Sequence, residues 1–313
     1  MMVSFETLGW NSEKIIPIKS KIIQNIKKRT PALNQGVLHP RCMRKLPRAI
    51  YKQLIRANAR GVPMDDAILC RVLCKYKMFV NPEDRGLSPH LILDGYWELS
   101  VTETMIDLVR EGMTAIDVGA NLGYFSVLLA DLVGPDGHVI VAEPNPRMAS
   151  LLTQSVRVNA FDSRVELVTD AITAESGQEM TLTIPRNFPQ NGAVHYGAPH
   201  SGEDDSSTSV RIRTRTLDDI VGDRPVDFIK IDVEGSEQAV WAGMQGILGR
   251  GKPLSIILEF TPDRYADPMA FLNNFLQAGF GLSQITASGR QSVTPDDIMK
   301  GPLNIDRMLV LSR

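Results

Sequence analysis

The chain has 313 residues, a formal net charge of −2, and 43% hydrophobic and 22% charged residues. That length supports a sizeable core, and those proportions exclude a chain disordered throughout. No apolar run reaches about 18 residues and no signal-peptide core precedes a cleavage site, so neither a membrane span nor a secretory leader is expected.

The charge is unevenly spread. Residues 1–60 hold thirteen basic side chains against Glu6 and Glu13, which leaves thirteen excess acids in the remainder. Ile15, Ile16, Ile18, Ile22, Ile23 and Ile26 recur among the lysines at roughly helical spacing, although Pro17 weakens the first turn. A basic, helical extension over residues 1–77 is expected, packed on the rest of the chain or on a second copy in a homo-oligomer. An anionic acceptor or the surface of an anionic membrane are further partners for it. Nucleic acid is disfavoured, because stacking aromatics are nearly absent from the basic stretch. Cys42, Cys70 and Cys74 form neither a disulfide framework nor a zinc pattern, which points to a reducing cytoplasm. The i, i+4 spacing of Cys70 and Cys74 suits two packed thiols on a helix.

The segment Thr114 to Phe125 reads as a buried strand, a glycine-bearing turn and a helix N-terminus, continued by Ser126 to Ala130. Such a junction can hold a nucleoside-type ligand against backbone amides. A dinucleotide site wants G-x-G-x-x-G, whereas here Asp117 precedes Gly119, Asn121 and Gly123. A carboxylate there repels a pyrophosphate and suits a cation, which favours S-adenosylmethionine (SAM), with its ammonium and sulfonium. After the turn at Gly134 to Gly137, His138 to Ala142 forms a second strand, and Glu143 stands where an acid binds both ribose hydroxyls. Nicotinamide enzymes share that acid, so an oxidoreductase or a non-catalytic binding protein stays open as the alternative. A helix over 148–159 and a strand over 164–169 follow, and Asp170 and Ala171 at its end border the adenine position.

Residues 171–216 read as an insertion or lid that selects the acceptor. Two alternating segments, 179–184 and 209–214, suit hairpin-like or edge strands, joined by a polar loop with His195, Tyr196 and His200. His195 is a candidate general base toward an acceptor hydroxyl. Val226 to Ile231 is a further strand that runs into Asp232, Val233 and Glu234 and then a helix over 238–248. Alternation puts Lys230, Asp232 and Glu234 on one face if the strand stays extended, at the end where α/β sheets collect ligands. Asp232 is the first candidate for orienting an acceptor or taking its proton. Glu259, at the tip of the strand 254–259, is the second, since adjacent strand tips bring it near Asp232. Two such carboxylates could also hold Mg²⁺, but no metal is expected. A helix over 267–278 and strands at 281–286 and 306–312, an antiparallel edge pair, complete the chain.

Asp117 to Tyr124, Glu143-Pro144, Thr216-Leu217-Asp218-Asp219 and Lys230 to Gly235 closely resemble, in order and spacing, the FkbM family of SAM-dependent methyltransferases. The likeness covers about 78–290. It implies an α/β, Rossmann-like class I methyltransferase fold: a seven-stranded, mostly parallel sheet with helices on both faces, spanning 78–313. It also implies methyl transfer to a hydroxyl oxygen of a sugar, polyketide or other secondary metabolite. By the same resemblance Asp94 to Glu98 is the entry segment, whose acid Glu98 lies near the cofactor. The donor site is then Glu98, Asp117, Gly119, Asn121, Gly123, Tyr124, Glu143, Asp170 and Ala171.

Overall fold

The computed structural model describes residues 39–196 and 207–313. The isoleucine- and lysine-rich stretch and His200 therefore lie outside the described residues. An eight-stranded sheet organises the chain. Its parallel strands are short, mostly apolar runs: β4 (Thr114–Val118), β5 (His138–Ala142), β6 (Val165–Val168), β11 (Phe228–Ile231) and β12 (Ser255–Phe260). They lie parallel in the order β12-β11-β4-β5-β6. β15 (Arg307–Ser312) enters antiparallel between β12 and β13 (Gly281–Thr286), so the expected antiparallel pair is present, but one further strand lies outside it at the edge. The seven expected strands are all present. The eighth, β14 (Gly289–Ser292), extends β13 as a hairpin whose side chains are all exposed, so no buried alternation marked it.

The sheet is buried on both faces, and the period-2 alternation of its strands feeds two separate cores. Ala115, Val139, Val141, Phe228 and Ile257 point to one face. There they meet α4 (Leu99–Leu108), α5 (Tyr124–Leu132) and α6 (Pro146–Val158). Ile116, Ile140, Ile229, Ile256 and Leu309 point to the other, against α7 (Leu217–Val221), α8 (Glu237–Ala242), α9 (Gln245–Gly249) and α10 (Pro268–Gln277). Asp267 caps α10 by accepting from the Ala270 amide at 2.8 Å, with Pro268 in the first turn. The single helix expected over 238–248 is two pieces, α8 and α9. The break falls at Gly243, where a Cβ would stand 2.1 Å from the Thr173 carbonyl oxygen, so the backbone of the insertion comes too close for a regular helix with side chains.

The segment before the sheet departs from the expected helical extension. Two helices, α1 (Pro40–Met43) and α2 (Arg48–Asn58), precede a three-stranded antiparallel meander of β1 (Gly61–Pro63), β2 (Ile68–Val72) and β3 (Tyr76–Val80). The boundary expected after residue 77 thus falls inside β3. Cys70 lies on β2 and Cys74 in a left-handed turn, not on a helix, although both are buried. Met43, Tyr51, Ile55, Val72 and Met78 join the core of the first face, so this part of the extension shares its core with the sheet.

Its basic residues are spent on the same contact. Arg44 donates to Asp107 at 2.7 Å, Arg48 pairs with Glu103 at 3.1 Å, and Arg56 with Asp94 at 2.7 Å. On α5, Asp131 accepts from Lys75 at 2.6 Å and from the Tyr76 hydroxyl at 2.7 Å, with His39 at 3.2 Å. Burial alone would raise the Asp131 pKa, but these partners hold it well below the usual carboxylate range.

A depressed carboxyl pKa stabilises the fold above the unfolded value of about 3.9, and that stabilisation fades as pH falls below it. Asp131→Asn should therefore cost about 2–3 kcal/mol at pH 7 by urea denaturation. The gap to the parent should shrink steadily below about pH 4.

Candidate active site

The carboxyl ends of β4, β5, β11 and β12 open into a cavity of about 1480 Å³. The insertion forms its far wall. β7 (Ala171–Ile172), β8 (Glu179–Pro185), β9 (Ala193–Tyr196) and β10 (Ser207–Arg215) make a second sheet in the order β7-β10-β8-β9. The two alternating segments are thus an antiparallel pair, as expected. Thr181, Thr183 and Ser209 from this sheet line the cavity. His195 sits in β9, its backbone opposite Thr181 of β8.

The turn after β4 is built for close approach. Gly119 has φ +77°, and a Cβ on it would stand 1.8 Å from the Asp232 carbonyl oxygen. Gly123 has φ +82° and would meet Leu152 of α6 at 2.6 Å, so it serves helix packing and is not on the cavity wall. The turn's amides do not wait for a ligand. Those of Gly119 and Ala120 donate to the Ala142 carbonyl, that of Gly123 to Ala120, and that of Asn121 to Glu143 Oε2 at 2.6 Å. A pyrophosphate would find these donors already spent and carboxylates around them, which argues against a dinucleotide.

Glu143 lines the cavity as expected, its other oxygen accepting from the Asn145 amide at 2.8 Å. Burial pushes its pKa up to about 7, against those amide bonds. Asp170, Ala171, Asn121 and Tyr124 also line the cavity, and the Tyr124 hydroxyl is 3.0 Å from Thr102 Oγ1. Glu98 stands at the cavity in a left-handed conformation (φ +35°) that a glutamate seldom adopts. Its Oε2 is buried with no hydrogen-bond partner. Burial, reinforced by repulsion from Asp232, pushes its pKa up to about 7.

Asp117 corrects the expectation of a ligand-facing acid. It is 0% exposed and off the cavity wall, because its position on β4 turns it into the first core. Ser126 donates to its Oδ2 at 2.6 Å, while Oδ1 has no partner. Beside it in the β4–β11 register stands Lys230.

At the ends of β11 and β12 the cavity is lined by a cluster of acids. β11 ends at Ile231 and Glu234 has φ +53°, so the extended run stops before Glu234. Even so, one oxygen each from Asp232, Glu234 and Glu259 lie within 4.8 Å of one another. Carboxylates this close repel unless cations stand between them, and side chains provide the cations. Lys230 Nζ donates to Asp232 at 2.7 Å, and Arg264 donates to Glu259 at 2.7 Å and Glu234 at 2.9 Å. Burial, with repulsion from Asp232, Glu234 and Asp306, still pushes the Glu259 pKa up to about 8. Glu234 does not cap the next helix. Glu237, 0% exposed, holds that loop by accepting from the Val233 and Gly235 amides and the Tyr265 hydroxyl. Sequence reasoning assigned no role to Lys230, Glu237 or Arg264. The i, i+2 alternation of Lys230 and Asp232 was a visible signal, whereas Arg264 follows a turn after β12 and had none.

The parallel order β12-β11-β4-β5-β6, with β15 antiparallel beside β12 and a cavity at the carboxyl ends, is the class I methyltransferase fold. The model of the methyltransferase FkbM domain matches residues 117–281, and the chain belongs to that family. Among curated relatives, it is 31% identical over 94 residues to a protein-L-isoaspartate O-methyltransferase of Korarchaeum cryptofilum, 28% of this chain and 39% of that protein. It is 38% identical over 52 residues to the enzyme of that name from Methanothrix thermoacetophila, 17% of this chain and 24% of that one. The chain thus spans well under half the length of these relatives. Among solved structures, it is similar to a SAM-dependent methyltransferase from Aquifex aeolicus, with a TM-score of 0.38 and 15% identity over 72% of this chain and 92% of that one. A precorrin-6Y C5,15-methyltransferase from Geobacter metallireducens gives a TM-score of 0.38 and 12% identity over 69% and 89%.

The Gly119 contact makes a sharp expectation. Gly119→Ala should cost at least about 2 kcal/mol in urea denaturation and abolish calorimetric binding of S-adenosylhomocysteine. Gly177→Ala, at φ +82° with nothing within 4 Å of its Cβ, should cost only about 1 kcal/mol and leave binding intact.

Proposed function

We propose that this protein transfers the methyl group of SAM to a hydroxyl oxygen of a small polar acceptor such as a sugar or polyketide. The observation that carries this reading is that Glu98, Glu143 and Asp170 line one cavity with Asp232 and Glu259, the last two with carboxylate oxygens within 4.8 Å of each other. At about 1480 Å³ the cavity exceeds the usual range for one small ligand, about 300–1,000 Å³, and so has room for two reactants.

The residues present fit the donor. Glu143 would hold the ribose hydroxyls, and Asp170 and Ala171 would border the adenine. Glu98, whose buried Oε2 lacks a partner, would receive the ammonium of the methionyl end. Bound there, SAM supplies an electrophilic methyl carbon and leaves as a neutral thioether. The chain's own work is alignment and proton removal. Asp232, pinned by Lys230, orients the acceptor hydroxyl toward the methyl carbon, which must be approached in line. Glu259 takes the hydroxyl proton as the new O–C bond forms. Its elevated pKa suits a base that works near neutrality. The Thr181, Thr183 and Ser209 wall offers hydroxyls to the rest of a polar acceptor. The free thiols of Cys42, Cys70 and Cys74 support the cytoplasm as its compartment.

The test is transfer of labelled methyl from SAM to a panel of hydroxylated sugars and polyketides, with the product linkage read by NMR. Methyl found on nitrogen or carbon would sink the assignment. A base must be deprotonated to act, so kcat/KM should rise with pH and level off above about 8. Glu259→Gln should lower kcat by about 10²- to 10⁴-fold and flatten that profile, with S-adenosylhomocysteine affinity unchanged.

A further inference from the structure

Lys230 lines the same cavity as Glu98 and Glu143 and is bonded to Asp232. It lies inside β11, 1% exposed, between Asp117 of β4 and Ile257 of β12 in register. On the same face of the same strand, Phe228 is purely apolar packing. A buried ammonium at such a position costs far more than an apolar side chain unless acids repay it. Here they do so from four directions. Asp232, beyond the end of the same strand, accepts its hydrogen bond at 2.7 Å. Asp117 stands opposite it in the β4–β11 register, and Glu98 ahead of α4 and Glu143 after β5 line the same cavity; its charge opposes the upward push of burial on all three carboxyls. From α5, the Phe125 ring lies 5.0 Å away and offers its negative face. Asp306, ahead of β15, also acts on Glu98. The acids hold Lys230 above the usual lysine range despite burial, so its charge is permanent.

We infer that Lys230 is a positioning residue, a single buried ammonium that ties the donor-side acids Glu98 and Glu143 to the acceptor-side acid Asp232 in one charge network. This rests on the methyl-transfer reading for its consequence, but its first effect is on donor binding. Glu98 and Glu143 hold the donor best as anions. Without the ammonium their carboxyls stay protonated to higher pH, so donor affinity at pH 7 falls and returns in alkali. Asp232 loses its tether at the same time, and alignment of the acceptor suffers separately.

The experiment is calorimetric titration with S-adenosylhomocysteine between pH 5.5 and 9.5, beside a thermal melt. Lys230→Met keeps the volume and removes the charge. It should weaken binding at least tenfold at pH 7, recover most of that by pH 9, and move the acidic limb of the affinity profile upward. Lys230→Arg, which keeps the charge, should restore the limb. A merely structural lysine would change the melt and leave the limb in place. Lys230→Gln, which removes the charge but keeps a polar head, gives a second arm if Lys230→Met does not fold, and it should move the limb upward in the same way. An unmoved limb in the variants that fold overturns the inference. Because binding is read without an acceptor, a parent protein that binds S-adenosylhomocysteine but transfers no methyl group defeats only the methyl-transfer reading.

Discussion

The site depends on the contact between two strand ends. Gly119, leaving β4, lies so close to the Asp232 carbonyl that no side chain fits between them. β4 and β11 are neighbours in the parallel sheet, so their carboxyl ends diverge into different loops that would otherwise be free to separate. The Asp232 amide, donating to the Val118 carbonyl at 3.1 Å, ties them together. It places the glycine turn against the acidic loop, both on the wall of one cavity. Glu237 fastens that second loop from below through two backbone amides and Tyr265. Geometry of this kind is what near-attack alignment requires, since small displacements of either reactant cost rate steeply.

Charge is concentrated in the same cavity. It is walled by acids, and the described cations bonded to Asp232, Glu234 and Glu259 are Lys230 and Arg264. Low dielectric and mutual repulsion leave Glu98, Glu143 and Glu259 with pKa values near 7 to 8. Groups in that range respond to a bound cation or a departing proton near neutral pH, as binding and acid–base work both need. The spent amides of the glycine turn complete the picture. The turn is a structural joint, and side chains do the recognition.

The extension and the insertion bear on the site in different ways. Residues 39–80 join the core of the first face, and Arg44, Arg48 and Arg56 pair with acids of the following segment, so part of the basic surplus of this stretch is neutralised by the rest of the chain. The insertion contributes a separate four-stranded sheet with a small apolar core of its own, around Ala171, Met180, Leu182 and Ile212. It thereby builds a wall with hydroxyls on the cavity without disturbing the main sheet.

Local pattern in the sequence was enough for the parallel strands, the glycine turn, the Asn121 and Glu143 positions, and the meeting of Asp232 with Glu259. Short apolar runs, left-handed glycines and charges at strand ends are written in adjacent residues, and the rule that ligands gather at carboxyl ends does the rest. Tertiary structure alone decided which way the charges point. Asp117 reads as a ligand contact in sequence, but the pleat of β4 turns it into the core, where Ser126 and Lys230 meet it. Helix spacing misread Cys70 and Cys74, because the meander of β1–β3 borrows its stability from the neighbouring core and not from local propensity. The break at Gly243 and the reach of Arg264 to two acids likewise arise from parts of the chain distant in sequence. Sequence alone was enough to determine the family to which this chain belongs. Only the packing of one strand against the next decided which acids face the cavity, since that orientation is set by neighbours on other strands.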